Sequence, residues 1–227
     1  MNTAIIVAAG SGNRFGTDRP KQFVEVLGKP IIQYSLETFD ACDAIDTVVV
    51  VVAAGELDRF RLISKKFSLH KPLTAVSGGK TRSESVSNGL NAASAETTII
   101  AVHDAARPMV TADEIERTIA AAKITGAACL TGAVTDTIKS VSGDRITGTV
   151  DRRSLLRALT PQAFRIEILR KALDASELGD DVTDECYLVE KLGVQIASVS
   201  GDSRNLKITY PEDLIVFQAL IKSESID

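Results

Sequence analysis

The sequence predicts an α/β fold, a mostly parallel sheet with helices on both faces, and three observations lead there. Short β-branched runs alternate along the chain with stretches whose apolar residues recur at helical spacing. The strand-like runs are apolar almost throughout, as in strands covered on both faces. A glycine-rich loop follows the first run directly, the usual place for a phosphate-binding loop in a Rossmann-like sheet.

The elements follow in order. "AIIVAA" (4–9), "DTVVVVVA" (46–53), "PLTAVS" (72–77), "TTIIAVH" (97–103) and "AACLTGAV" (127–134) read as buried strands. "KPIIQYSLETFDAC", "ELDRFRLISKKF", "RSESVSNGLNAAS" and "TADEIERTIAAAKIT" read as the helices between them. Residues 136–153, "DTIKSVSGDRITGTVDRR", break the rhythm with two strand-like pieces around a Ser-Gly-Asp turn, which predicts a protruding β-hairpin. That hairpin carries too little apolar material to cover itself, so it either caps its own sheet or reaches onto a partner chain. The α/β pattern then resumes with "TDECYLVEKLG", the strand "VQIASVS", "NLKI" and a helix opening at Pro211, with Glu212 and Asp213 in its first turn. With no repeat, low-complexity tract or linker, residues 1–227 read as one domain.

Composition removes several function classes. A net charge of -4, aromatics at 4% and no tryptophan leave neither a basic face nor stacking platforms for nucleic acid. The longest apolar run, "VVVVVAA", is far short of a membrane span, and the N-terminus has no basic n-region. Cys42, Cys129 and Cys186 form no CxxC pair, and His70 and His103 are not at metal-motif spacing from them. The expectation is a soluble cytoplasmic protein with reduced, packed thiols.

The loop after the first strand, "AAGSGNRFGTDRPKQ" (8–22), admits a dinucleotide reading and a broader phosphate reading. The dinucleotide motif needs G-x-G-x-x-G, but here the third glycine, Gly16, comes one place late and Pro20 interrupts the helix that should follow. A second stretch, "SGGKTRS" (77–83), contains Gly-Lys-Thr, yet a P-loop needs glycine where Thr74 stands. The broader reading takes the first loop whole. Gly10 and Gly12 let the backbone approach phosphate oxygens, Arg14 and Lys21 set two cations beside them, and Pro20 turns Lys21 back toward the site. Two placed cations suit charge that builds during transfer at phosphorus.

Taken with the rest of the chain, this loop resembles the signature of sugar-phosphate nucleotidyltransferases. "GGKTRSESVSNGL" (78–90), "VHDAARP" (102–108), "DT" (136–137), "TVDR" (149–152), "LTPQAF" (159–164), "TDE" (183–185) and "NLKIT" (205–209) stand in the order of the 2-C-methyl-D-erythritol 4-phosphate cytidylyltransferase family. The resemblance spans residues 4–214. It implies that a phosphate oxygen of the sugar-alcohol phosphate attacks the α-phosphorus of CTP, releasing pyrophosphate. It further implies Mg²⁺ or another divalent cation as cofactor and a homodimer whose hairpin arm completes the partner's site. Cytidylyl transfer to ribitol 5-phosphate is the nearest alternative, and a non-catalytic nucleotide-binding domain is an alternative from another class.

Residue by residue, the resemblance makes Arg14 and Lys21 the transition-state stabilisers. It makes Ala8, Ala9, Gly10, Ser11 and Gly12, with Gly79 and Ser85, the CTP pocket, where amides and hydroxyls read the cytosine edge. Asp104, at a strand's carboxyl end, is expected to touch the nucleotide's phosphates through the metal, in place of an ordinary cap. Arg107 is either a pocket cation or the partner that orients Asp104. Thr137, Arg152 and Lys207 fall where the family holds the sugar phosphate, Arg152 being preferred to Arg153 on the "VDR" match. Thr183, with Asp184 and Glu185, either closes the substrate side or caps the next helix.

Overall fold

The computed structural model describes residues 1–10, 15, 20–176 and 182–224. Along the chain run β1 (Asn2–Ala8), β2 (Glu25–Val26), β3 (Lys29–Pro30), α1 (Ile31–Ala41), β4 (Thr47–Val52), α2 (Leu57–Ser64), β5 (Leu73–Ser77), α3 (Arg82–Asn91) and β6 (Ile99–Asp104). There follow α4 (Ala112–Thr125), β7 (Ala127–Ala133), β8 (Ile138–Ser142), β9 (Arg145–Val150), β10 (Leu156–Arg165), α5 (Ile166–Asp174), α6 (Glu185–Lys191), β11 (Ala197–Ser200) and α7 (Asp213–Glu224). Seven strands form one sheet in the order β11-β7-β10-β6-β1-β4-β5. All neighbours pair parallel except β10, which runs antiparallel between β6 and β7.

The apolar runs are buried on both faces, for the reason their continuous hydrophobicity implied. Ala4, Ile6, Val48 and Val50 pack with α1, α2 and α4, whereas Ile5, Val49 and Val51 pack with α3, α5 and α6 on the opposite face. Each fully buried Val or Ile contributes roughly 1.5–3 kcal/mol, so the central strands carry much of the fold's stability. Helix ends follow local chemistry. Thr111 and Glu114 form a capping box on α4, which ends at Gly126 in the left-handed region (φ 92°).

Two features depart from the sequence reading. β10 threads the "LTPQAF" segment into the sheet, which the alternation of runs did not indicate. Its pairing with β7 shifts register between Ala158 and Gln162, around Pro161, which has no N–H to give. The last helix is regular from Asp213, two residues past the predicted opening at Pro211, and the Asp213 carboxylate in its first turn accepts the Thr209 and Tyr210 amides (2.7 and 2.8 Å).

The hairpin predicted over 136–153 is present as β8 and β9, which pair with each other in a two-stranded sheet of their own. Its turn places Gly143 at φ 56°, a conformation that favours glycine. Val141 and Ile146 lie 66% and 68% exposed on it. A lone two-stranded hairpin is marginal in water, so such an arm needs something to lie against. No helix among the described residues is long and apolar enough to cross a membrane. All three cysteines are free and buried.

Candidate active site

Parallel strands end on one edge of the sheet, and the loops leaving β1, β5 and β6 there enclose a crevice of about 480 Å³. Its walls include Ala8, Ala9, Gly10, Lys21, Gly79, Ser85, Asp104 and Lys207, all of which the sequence singles out. They also include Gln22, Lys80, Thr81, Arg82 and Thr209, which it does not. Ser11, Gly12 and Arg14 lie outside the described residues.

Each wall is held by identifiable contacts. Pro20 is extended (ψ 128°), and the single 3-10 turn that follows carries Lys21, whose Nζ donates to the Ile208 carbonyl at 2.7 Å. The adjacent Gln22 side chain donates to the carbonyl of Ala8, tying this turn to the end of β1. Across the crevice, Thr81 caps α3 by accepting the Glu84 amide, and the Lys80 amide donates to the Glu84 carboxylate. The Ser85 hydroxyl accepts from Gly79 N–H (3.1 Å) and donates to the Thr81 carbonyl (2.9 Å), so it braces the turn as well as lining it. Gly78 is space-limited: a Cβ there would lie 2.5 Å from the Ala9 Cβ and 2.7 Å from the Ser85 Oγ.

Asp104 forms the floor at the end of β6. Its Oδ1 accepts from Arg82 Nε (3.2 Å) and Nη2 (3.0 Å), and its Oδ2 accepts from Lys207 Nζ (2.7 Å). Burial alone would raise its pKa, but the Arg82 and Lys207 charges outweigh burial and hold the carboxyl far below the usual range. Asp104 is therefore an anion at any physiological pH. Behind it, the Asp104 amide donates to the Thr160 hydroxyl, which pairs with His103 Nδ1 (3.0 Å), while His103 Nε2 pairs with the Arg107 carbonyl (3.2 Å). A carbonyl can only accept, so Nε2 carries the ring proton and Nδ1 receives the Thr160 hydroxyl. Burial pushes the imidazole down to about 3, which keeps it neutral.

Among the described residues Arg107 neither lines the crevice nor forms an ion pair with Asp104, although its charge also helps to hold that carboxyl low. Its guanidinium donates to the carbonyls of Asn205 (3.0 Å) and Ala158 (3.4 Å), and the ion-pair partners of Asp104 are Arg82 and Lys207. Asn205 in turn donates to the Thr160 carbonyl and to buried Glu114, which also accepts the Asp202 amide. These bonds fasten the loop that presents Lys207. Sequence separation hid this set: Arg82 is 22 residues from Asp104, and Glu114 is 91 from Asn205. The one signal for Arg82 was its place directly after "GGKT", at the first position of a helix that begins beside the crevice.

Thr137 and Arg152 lie on the arm and Thr183 precedes α6, and none of them lines the crevice of its own chain. The Arg152 guanidinium donates to the Thr135 carbonyl, and Arg153 pairs with Asp151 at 2.8 Å on the surface. Asp184 caps α6 by accepting the Tyr187 amide, and Glu185 is buried against Arg82. Among the described residues no three His, Cys, Asp or Glu side chains gather to hold a metal ion. A cation in the crevice would have to share Asp104 with ligand oxygens.

Residues 2–223 match the family model described as 2-C-methyl-D-erythritol 4-phosphate cytidylyltransferase. A protein of that name from Bacillus licheniformis is 40% identical over 226 residues, covering 99% of this chain and 97% of its own. Another from Pelotomaculum thermopropionicum is 40% identical over 223 residues, covering 97% and 94%. The crystal structure of 4-diphosphocytidyl-2C-methyl-D-erythritol synthase from Anaerococcus prevotii superposes with a TM-score of 0.85 at 29% identity, covering 97% of this chain and 96% of that one. Motif order, sheet topology and full-length similarity thus agree, and the chain belongs to the 2-C-methyl-D-erythritol 4-phosphate cytidylyltransferase family.

Proposed function

We propose that this crevice transfers a cytidylyl group from CTP to 2-C-methyl-D-erythritol 4-phosphate. A phosphate oxygen of the sugar-alcohol phosphate forms a new bond to the α-phosphorus. The bond from that phosphorus to the bridging oxygen breaks, and pyrophosphate leaves with the electron pair. The observation that carries the reading is the placement of Lys21, Lys207 and Asp104 on one wall system with the Ala8–Gly10 and Gly79–Ser85 backbones. Such a site works by positioning and by fixed charge in place before the reaction. Lys21 faces the transferring phosphoryl oxygens, with Arg14 as its companion, and Lys207 holds the phosphate of the acceptor.

Asp104 suits Mg²⁺, which commonly binds through one or two carboxylates plus substrate phosphates. Its Oδ1 is filled by two Arg82 bonds, whereas Oδ2 takes one bond from Lys207 and keeps a lone pair. When bound, the ion neutralises charge on the phosphates.

The arm completes the site of a second copy in our reading, bringing Thr137 and Arg152 to the acceptor, while Thr183, ahead of α6, closes the substrate side. Support comes from a hairpin that, among the described residues, pairs only with itself and carries exposed Val141 and Ile146. Buried free thiols fit a reducing cytoplasm.

The test is pyrophosphate release from CTP and Mg²⁺, with methylerythritol phosphate and ribitol 5-phosphate offered separately. Release with the first alone is expected, and release with neither, despite CTP binding, overturns transfer. For the shared site, Lys21→Ala and Arg152→Ala chains, each inactive alone, are mixed and exchanged. One site per heterodimer should recover, and no recovery in proven heterodimers refutes the arm's role.

A further inference from the structure

We infer that Glu185 is a positioning residue for cytidylyl transfer, acting through Arg82 to hold the Asp104 carboxylate. This inference rests on the function proposed above. Four charged groups form an alternating chain into the crevice: Glu185, Arg82, Asp104 and Lys207. Arg82 is the shared member. Its Nη1 donates to Glu185, while Nε and Nη2 both donate to Asp104 Oδ1. A guanidinium is a rigid planar fork, so fixing one arm fixes the direction of the other two.

Glu185 is well placed to do the fixing because its own position is set twice. Gln162 on β10 accepts the Cys186 amide through Oε1 (3.1 Å) and donates through Nε2 to the Asp184 carboxylate (2.8 Å). Asp184 also caps the helix by accepting the Tyr187 amide at 2.9 Å. The first turn of α6 is thereby stapled to the middle of the sheet, one strand away from β6 and its Asp104. The Glu185 side chain is fully buried and, among the described residues, reaches the crevice through Arg82.

Stability does not account for the arrangement. A buried ion pair about breaks even against apolar side chains of similar volume. Here the pair also leaves Glu185 Oε2 without a hydrogen-bond partner among the described residues. An interior carboxylate oxygen with no protein partner calls for an explanation. Geometry supplies one: Asp104 must present Oδ2, and two bonds from a clamped guanidinium to Oδ1 prevent the carboxylate from rotating.

The experiment is a double-mutant cycle on pyrophosphate release with Glu185→Gln, Arg82→Gln and the pair. Wild-type turnover of methylerythritol phosphate, run alongside, checks the parent reading on its own. A misplacement on the order of 1 Å at the reacting centre lowers the rate about 10²-fold, the loss expected in kcat for Glu185→Gln. The KM for CTP should change less than threefold, and the double variant should lose no more than Arg82→Gln alone. Loss of packing alone would lower the thermal midpoint without this non-additivity. Because the Glu185→Gln change could destabilise the chain, the apolar pair Arg82→Met with Glu185→Met is measured as well. It should fold and show the same loss in kcat. Independent, multiplying losses in the cycle, or near wild-type kcat in either Glu185→Gln or the methionine pair, would overturn the inference.

Discussion

Gly78→Ala tests whether the crevice depends on close contact between its two walls. The φ of Gly78 lies outside the left-handed region, so space and not backbone freedom demands glycine here. An added Cβ would sit 2.5 Å from the Ala9 Cβ, where two carbons rest at about 3.5–4.0 Å. The Ala8–Gly10 wall and the Gly79–Ser85 wall must then part by about 1 Å, and the Ser85 Oγ, at 2.7 Å, blocks relief in the other direction. A shift of that size at a reacting centre costs about 10² in rate. Overpacking of this kind also costs roughly 1–3 kcal/mol of stability. In a chain of this size each kcal/mol lowers Tm by about 2–4 °C. The assay is continuous pyrophosphate release at varied CTP, with thermal melts on the same samples. Gly55→Ala serves as control, since nothing lies within 4 Å of its added Cβ. A Gly78→Ala enzyme with kcat/KM within threefold of wild type would refute the reasoning.

Two further predictions follow from the site's charges. On the function proposed above, Lys207→Ala removes a charge-assisted hydrogen bond to the acceptor phosphate, worth about 1.5–3 kcal/mol, so kcat/KM for the sugar-alcohol phosphate should fall roughly 10–10²-fold, and by more than kcat/KM for CTP, which feels only the lost contact to Asp104. Equal losses for both substrates would remove Lys207 from the acceptor side. His103, pushed by burial to about 3, stays neutral in the folded chain, whereas in the unfolded chain it titrates near its ordinary value of about 6.5. The unfolded state therefore binds the extra proton below about pH 6.5, and stability falls as pH drops from there toward about 3. The slope is about 1.4 kcal/mol per pH unit, or about 2 kcal/mol between pH 6.5 and 5. Urea unfolding at pH 7, 6 and 5 should show this slope in wild type and lose it in His103→Gln; equal slopes would exclude His103 as its source.

The sheet, its covered faces and the location of the crevice were legible in the residue pattern. Continuous runs such as "VVVVV" (48–52) can be satisfied only between two layers of helix, and parallel strands place their loops at one edge. Gly10 and Lys21 were legible from the glycine-rich loop after β1, a local signal, whereas the roles of Gly79 and Asp104 came with the family resemblance. Tertiary structure alone decided the partners. Arg82 reaches Asp104 across 22 residues and Glu185 across 103, Glu114 holds Asn205 across 91, and β10 is the antiparallel member of a sheet the runs predicted to be mostly parallel. Periodicity reports which face of an element is buried, and short motifs report the local path of the backbone. Neither encodes which buried charge meets which, because that depends on how distant elements pack, and only the packed chain holds those groups at hydrogen-bond distance.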